Sequence, residues 1–211
     1  MQISKFGHSC LLITTSDVRV LIDPGSFSSG FEGLTELDAL LLTHQHHDHY
    51  DHGRVLELLS HNRHAQVVAD EQTALLLAEG APGVKAVRED ETFEVGGLSV
   101  SVHGREHVVI HPELVNVANV GYFVDDKVFH PGDALTLPGR PVDVLALPIG
   151  APWLTVGSAI EYLRAVKPRV ALAVHERVFT APQIFYNLIG KFAAEQGTEF
   201  RVLGDSDVLT V

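Results

Sequence analysis

One cysteine, one tryptophan and one methionine among 211 residues leave little room for sulfur chemistry. A lone Cys10 excludes an internal disulfide framework. Long apolar runs are missing too, and no stretch approaches the ~18 uninterrupted apolar residues of a membrane span. Positive charge is scarce: 15 Lys and Arg stand against 27 Asp and Glu, a formal net charge of -12. That balance makes nucleic acid and anionic membranes unlikely partners and leaves a small molecule as the expected one. Arg105, Arg140, Lys167, Arg169 and Arg177 form either a local basic patch or, on the plainer reading, scattered solvated charges. No biased tract or charge block points to disorder, and 45% hydrophobic with 20% charged residues is ordinary globular composition. The length predicts one domain over residues 1–211 with a sizeable core. Met1 to His8 reads as a strand rather than a charged-then-apolar leader, so a cytoplasmic location is expected.

Histidine is what the chain has in quantity, 13 in all. Leu41-Leu42-Thr43-His44-Gln45-His46-His47-Asp48-His49-Tyr50-Asp51-His52-Gly53 packs five histidines and two carboxylates into ten residues directly after an apolar run. Ala39 to Thr43 reads as a buried strand, and Val55, Leu58 and Leu59 recur at helical spacing, which places the cluster in a strand-to-helix loop. Neutral imidazole and ionised carboxylate are the usual ligands of zinc and its neighbours. In extended backbone His44 and His46 share a side, while Asp48 and His49 fall where the chain turns, facing the same cavity from another direction.

The rest of the chain reads as a scaffold. Ile3 to Phe6, Cys10 to Thr14 and Val18 to Ile22 form a meander closed by Asp23-Pro24-Gly25. Ser26 to Glu36 either borders the substrate or simply connects. A strand at Gln66 to Ala69 leads into a helix capped by Asp70 and stopped at Gly80. Hairpins follow around Gly96-Gly97 and Asp125-Asp126-Lys127. Val142 to Leu147 and Arg169 to Val174 read as buried strands, with a helix at Ser158 to Val166 between them. A last helix from Pro182 buries Ile184, Phe185, Leu188, Ile189 and Phe192, and strands at Glu199 to Leu203 and Asp207 to Val211 close the chain. Meander, strand-helix units, then the same again predicts two facing sheets with helices outside.

Three further polar residues follow apolar strands as His44 does: His107 or a neighbour, Asp133 and His175. With His44-x-His46-x-Asp48-His49 they resemble the metallo-β-lactamase superfamily, over a span from Gly7-His8-Ser9-Cys10 through Asp23-Pro24-Gly25 to His175. The resemblance implies an α/β fold, a four-layer αβ/βα sandwich of two facing mixed sheets with outer helices. It further implies two divalent metal ions, zinc first with manganese or iron as alternatives, held by His44, His46 and His107 on one side and Asp48, His49 and His175 on the other, with Asp133 bridging. Such a pair lowers the pKa of a shared water toward neutrality, and Asp48 then orients it or relays its proton. His103 and His111 are within reach of the same strand end as His107 and compete for that place. Gly7-His8-Ser9, Pro131-Gly132-Asp133 and Pro148-Ile149-Gly150-Ala151-Pro152-Trp153 resemble a stand-alone cytosolic branch that includes ascorbate-phosphate lactonase-like proteins.

The chain departs from secreted zinc β-lactamases, whose cysteine ligand has no counterpart here, and from the di-iron flavoprotein reductases, which carry Glu where this chain has His46. Three roles stay open on sequence alone. Trp153 lines a substrate pocket or packs in the core, His8 bonds near the site or ends a strand, and Asp23 orients a histidine or makes a turn with Pro24. The expected activity is hydrolysis of an ester, lactone or related bond. A phosphodiesterase acting on a small phosphorylated substrate and a non-catalytic metal-binding protein are the alternatives.

Overall fold

The computed structural model describes residues 1–204 and 207–211. In the first half, β1 (Gln2–Lys5), β2 (Leu11–Thr14), β3 (Arg19–Ile22) and β4 (Ala39–Leu42) lead to α1 (His52–His61), then β5 (Gln66–Asp70), α2 (Glu71–Leu77) and β6 (Lys85–Val87). The second half runs β7 (Thr92–Val95), β8 (Leu98–His103), β9 (Gly121–Val124), β10 (Val128–His130), β11 (Val144–Pro148), α3 (Val156–Val166), β12 (Val170–Val174), α4 (Gln183–Glu195) and β13 (Glu199–Arg201). A final strand, β14 (Val208–Thr210), returns to pair with β1.

Two mixed sheets result, ordered β14-β1-β2-β3-β4-β5-β6 and β13-β12-β11-β10-β9-β8-β7 among the described residues. Each repeats one plan. β1 to β3 pair antiparallel and β3 to β6 parallel, while β7 to β10 pair antiparallel and β10 to β13 parallel.

The central parallel strands β4, β11 and β12 are apolar and buried at every position because both faces are covered. In β4, Ala39 and Leu41 pack between the sheets, while Leu40 and Leu42 pack outward with Val55 and Leu58 of α1 and Leu77 of α2. In β11, Val144 and Ala146 face inward, and Leu145 and Leu147 meet Leu163 of α3 and Ile189 of α4. Helix, sheet, sheet, helix is therefore the layer order, the expected sandwich. Among the described residues no helix is long and apolar enough to cross a membrane.

Two expectations are corrected. The final helix begins after Pro182 at Gln183, and Ile184 and Leu188 face solvent, 71% and 38% exposed, while Ile189 carries the burial. The amphipathic face is set by α4 lying against α3 and β13, which leaves Ile184 on the far side of the first turn. The closing strands are also shorter than the apolar pattern suggested, Glu199–Arg201 and Val208–Thr210. Each edge strand spans only the residues that pair with its single neighbour, Glu199 to Arg201 opposite Val170 to Leu172 and Val208 to Thr210 opposite Ser4 to Gln2.

Candidate metal centre

Loops following β4, β8, β10, β11 and β12 converge at one edge of the sandwich, where the sheets are stitched together. The Tyr122 hydroxyl of β9 donates across the interface to the Leu42 carbonyl at 2.9 Å, and the Val120 N–H donates to the Thr43 carbonyl at 2.9 Å. The residue after β4 is thus fixed from the opposite sheet.

Asp23, just past β3, organises the loop after β4. One carboxylate oxygen accepts the Thr43 N–H at 2.8 Å, and the other accepts the Thr43 hydroxyl and His49 Nδ1, both at 2.7 Å. Because the Thr43 hydroxyl gives its single proton to Asp23, it accepts from His44 Nδ1 at 3.0 Å. Both imidazoles therefore turn Nε2 away from Asp23 and toward the cavity floor. The same logic governs the second sheet's contributions. His175 Nδ1 donates to the Gly150 carbonyl at 2.6 Å and His107 Nδ1 to the Val108 carbonyl at 2.5 Å.

Gly25 lets this loop close, since a Cβ there would fall 2.0 Å from the Asp48 carbonyl oxygen. Across the site Gly132 takes φ +63°, where a Cβ would lie 2.3 Å from Asn119 Oδ1. Asn119 holds both ends of that turn: it donates to the Pro131 carbonyl and accepts the Asp133 N–H, each at 2.9 Å. His130 locks the turn from behind, bonding the Ser9 carbonyl at 2.9 Å and accepting the Gly132 N–H at 3.2 Å.

The side chains so placed form two donor groups, His44, His46, His107 and Asp133 in one and His8, Asp48, His49 and His175 in the other, with the ligand atoms of each group within 4.8 Å of one another. Asp133 reaches both. Its Oδ1 lies 3.1 Å from His49 Nε2, and its Oδ2 lies 3.2 Å from His107 Nε2 and 3.1 Å from His175 Nε2. Asp48 Oδ2 lies 3.3 Å from His175 Nε2 and 3.1 Å from His8 Nε2. All seven residues singled out from the sequence meet here. His103 does not: it bonds Ser101 at 3.0 Å and lies against Phe129 on the outer face of its sheet, and His111 is exposed.

The Nε2 atoms of His44, His49 and His175 and Asp133 Oδ1 are buried, make no well-aligned hydrogen bond, and have one another as their nearest polar neighbours. Unpaired polar atoms at this depth are costly unless something binds them. Lone pairs converging from imidazole and carboxylate fit a divalent cation by donor type. Charge within the group tells the same story. Burial opposes charge on His49, but Asp133 and Asp23 outweigh it and hold its pKa well above the ordinary histidine value. His175, likewise buried, is lifted to about 9 by Asp133 and Asp48. Burial and the neighbouring His49 push His44 well below its ordinary value, while the cationic His49 and His175 keep Asp133 ionised despite its burial. Two carboxylates at this depth demand positive charge, and bound cations would supply it.

Four contributors carried a weak sequence signal or none. His8, fully buried and in left-handed backbone at φ +45°, is held near pKa 4 by burial, so it is neutral and donates from Nε2 to Asp48. Its carbonyl accepts the His175 N–H at 3.1 Å, tying the opening meander to the end of β12. Thr43 and Asn119 had no motif at all. Trp153, left open between pocket and core, is at the site: its indole N–H donates to Asp133 Oδ2 at 3.0 Å and its ring borders the cavity.

Comparison with known proteins gives the family and the fold. The model of the beta-lactamase superfamily domain matches residues 2–175. Protein Rv0786c of Mycobacterium tuberculosis is 43% identical over 100% of both chains. A protein of Lysinibacillus sphaericus named UPF0173 metal-dependent hydrolase is 30% identical over 96% of each. Among solved structures, Igni18, a metallo hydrolase from Ignicoccus hospitalis, aligns with a TM-score of 0.77 at 20% identity over 99% of this chain and 97% of its own. YhfI of Bacillus subtilis, a metallo-beta-lactamase fold protein, aligns at 0.75 and 17% identity over 99% and 98%.

Proposed function

The chain belongs to the beta-lactamase superfamily, and from that premise we propose that it is a metal-dependent hydrolase cleaving an ester, lactone or related bond of a small molecule. The observation that carries the proposal is the set of buried donor atoms on His44, His49, His175 and Asp133 that converge on one another beneath an open cavity of about 300 Å³. His44, His46 and His107 would hold one ion and Asp48, His49 and His175 the other, with Asp133 within reach of both groups; zinc suits this donor set, and manganese or iron would also be accepted. Divalent cations bound there supply Lewis acidity and bring the pKa of a water toward neutrality.

The protein's own groups do the rest. Asp48 lines the cavity, where a carboxylate oxygen orients the attacking water and takes its proton. His8 keeps that carboxylate in place through its 3.1 Å bond. Trp153 fixes Asp133 from the cavity side. Donors come from both sheets, so the working unit is a single domain over residues 1–211.

The test is metal content by elemental analysis on protein reconstituted with zinc, followed by turnover of a panel of lactones and 4-nitrophenyl esters. About two metals per chain, a fall in Asp133→Ala, and ester or lactone turnover are expected. Reconstituted wild type without metal would overturn the reading, and faster turnover of bis(4-nitrophenyl) phosphate than of any ester would replace it with phosphodiester hydrolysis.

A further inference from the structure

The walls of the cavity differ in character from its floor. Above the donor atoms stand Phe27 from the loop after β3, Ile110 from the loop after β8, Pro152 and Trp153 from the loop after β11, and Val178 from the turn after β12. Four separate loops thus each contribute apolar surface to one opening. Among the described residues no lysine or arginine lines it. Arg105, two residues before His107, is paired on the surface with Glu89, and the guanidinium of Arg177, two residues after His175, lies against Gly7. A site that selects an anionic substrate ordinarily adds a guanidinium or ammonium clamp to its metals, and this one has none.

A second hollow of about 190 Å³ adjoins the first and shares His46, His107 and Ile110 with it. Beyond Ile110 its sides are Leu114, Val115 and Val117, with His111 and Asn116 between them. The loop that carries them is where apolar exposure concentrates: Val109 is 55%, Ile110 41%, Leu114 58% and Val115 93% exposed. Large apolar side chains grouped in solvent beside a polar reactive floor are unfavourable without an occupant. The shared residues give that occupant a direction, from the donor floor past Ile110 toward Leu114 and Val115.

We propose that the substrate is uncharged at the scissile group and carries an apolar arm, alkyl or aryl, which lies along Phe27 and Trp153 and leaves past Ile110 toward Leu114 and Val115. This rests on the metal-hydrolase reading, because the floor must hold the reacting group for the arm to lie on the wall. The two hollows sit at the small end of the volume range of small-molecule sites, so the arm is short, a chain or ring rather than a lipid.

Titration of the zinc-reconstituted protein with straight-chain hydroxamates, followed through the fluorescence of its sole tryptophan, Trp153, tests this without turnover. From acetohydroxamate to octanohydroxamate, Kd is expected to fall about threefold per methylene while the chain still finds wall. Adipic monohydroxamate, which ends in a carboxylate, is expected to bind at least about tenfold more weakly than hexanohydroxamate. Ile110→Asp and Val115→Asp, both at exposed positions, are each expected to flatten the chain-length series. A flat series in the wild type would overturn the apolar arm, and phenylphosphonate binding tighter than hexanohydroxamate would overturn the uncharged scissile group. Metal analysis of the same samples separates the failures. A flat series with metal bound defeats this inference alone, whereas no bound metal defeats it together with the reading beneath it. A steep series with no turnover of the matching esters keeps the apolar arm and defeats ester hydrolysis.

Discussion

The two sheets supply the site in opposite ways. After β4 the first sheet delivers His44, His46, Asp48 and His49 within six consecutive residues, whereas the second sheet delivers His107, Asp133 and His175 one at a time from the ends of three different strands. A contiguous cluster is held by one loop and its local bonds, chiefly those of Asp23. Dispersed residues depend on everything that registers the second sheet against the first. The difference teaches that the second sheet's residues, although fewer, are the ones that make one site out of two halves. Asp133 is the extreme case, since it approaches His49 from the first sheet and both His107 and His175 from the second.

The largest expected effect comes from that asymmetry. Asp133→Ala is expected to lower turnover by at least about a hundredfold and to reduce bound metal in both positions, while Asp48→Ala lowers turnover and keeps one position filled by the other donor group. Elemental analysis of the pair, with circular dichroism to show that each is folded, checks it. Equal metal loss in both variants would break the comparison.

Next in size is Gly132→Ala. The left-handed φ of +63° and the 2.3 Å approach to Asn119 Oδ1 leave no space for a methyl group, so the turn must shift and carry Asp133 with it. A cost of about 3 kcal/mol in urea denaturation is expected, with weakened metal binding. The first sheet's counterpart is milder. Asp23→Ala removes three bonds but no proposed ligand, and it is expected to weaken metal affinity about ten- to a hundredfold by freeing the His49 and His44 rings to rotate. Competition with a chromogenic chelator measures that loss.

This asymmetry also decided what the sequence could tell. His44 to His49 is legible because ligand spacing along a single loop is a local property, and the buried strand before it is equally local. Both faces of β4, β11 and β12 are covered, so their unbroken apolar runs gave the layers as well. His107 is not local. Choosing it over His103 and His111 requires knowing that β8 turns His103 toward Phe129 and that the following loop doubles back so that the His107 N–H reaches the Val117 carbonyl. Asn119, Thr43 and His8 act through hydrogen bonds between segments far apart in the chain, such as the 80-residue span from Leu42 to Tyr122 that closes the sandwich, and no spacing rule reports those. The burial of α4 was misjudged for the same reason, because periodicity gives a helix an apolar stripe without saying which part of it another element covers.

The smallest expected effect sharpens the comparison within one sheet. β5 lies beside β4 and also runs from a strand straight toward a helix, yet the carboxylate at its end, Asp70, caps α2: its Oδ1 accepts the N–H groups of Gln72 at 2.9 Å and Thr73 at 3.2 Å, and its Oδ2 is buried without a partner. Burial raises its pKa, and the cap bonds offset this only in part. With the folded value above the unfolded one, Asp70 costs no stability while protonated in both states, and its penalty appears as pH rises through the unfolded value of about 3.9 and levels off above the folded value. Asp70→Asn keeps the cap, since Asn caps as well as Asp, and cannot ionise. The variant is therefore expected to match the wild type near pH 4 and to become more stable by under about 1 kcal/mol as pH rises toward neutrality, with metal content unchanged. Urea denaturation across that range checks the sign. A variant less stable than the wild type at neutral pH would mean that the Asp70 carboxylate has a cationic partner, and that the ends of β4 and β5 are less different than their bonding indicates.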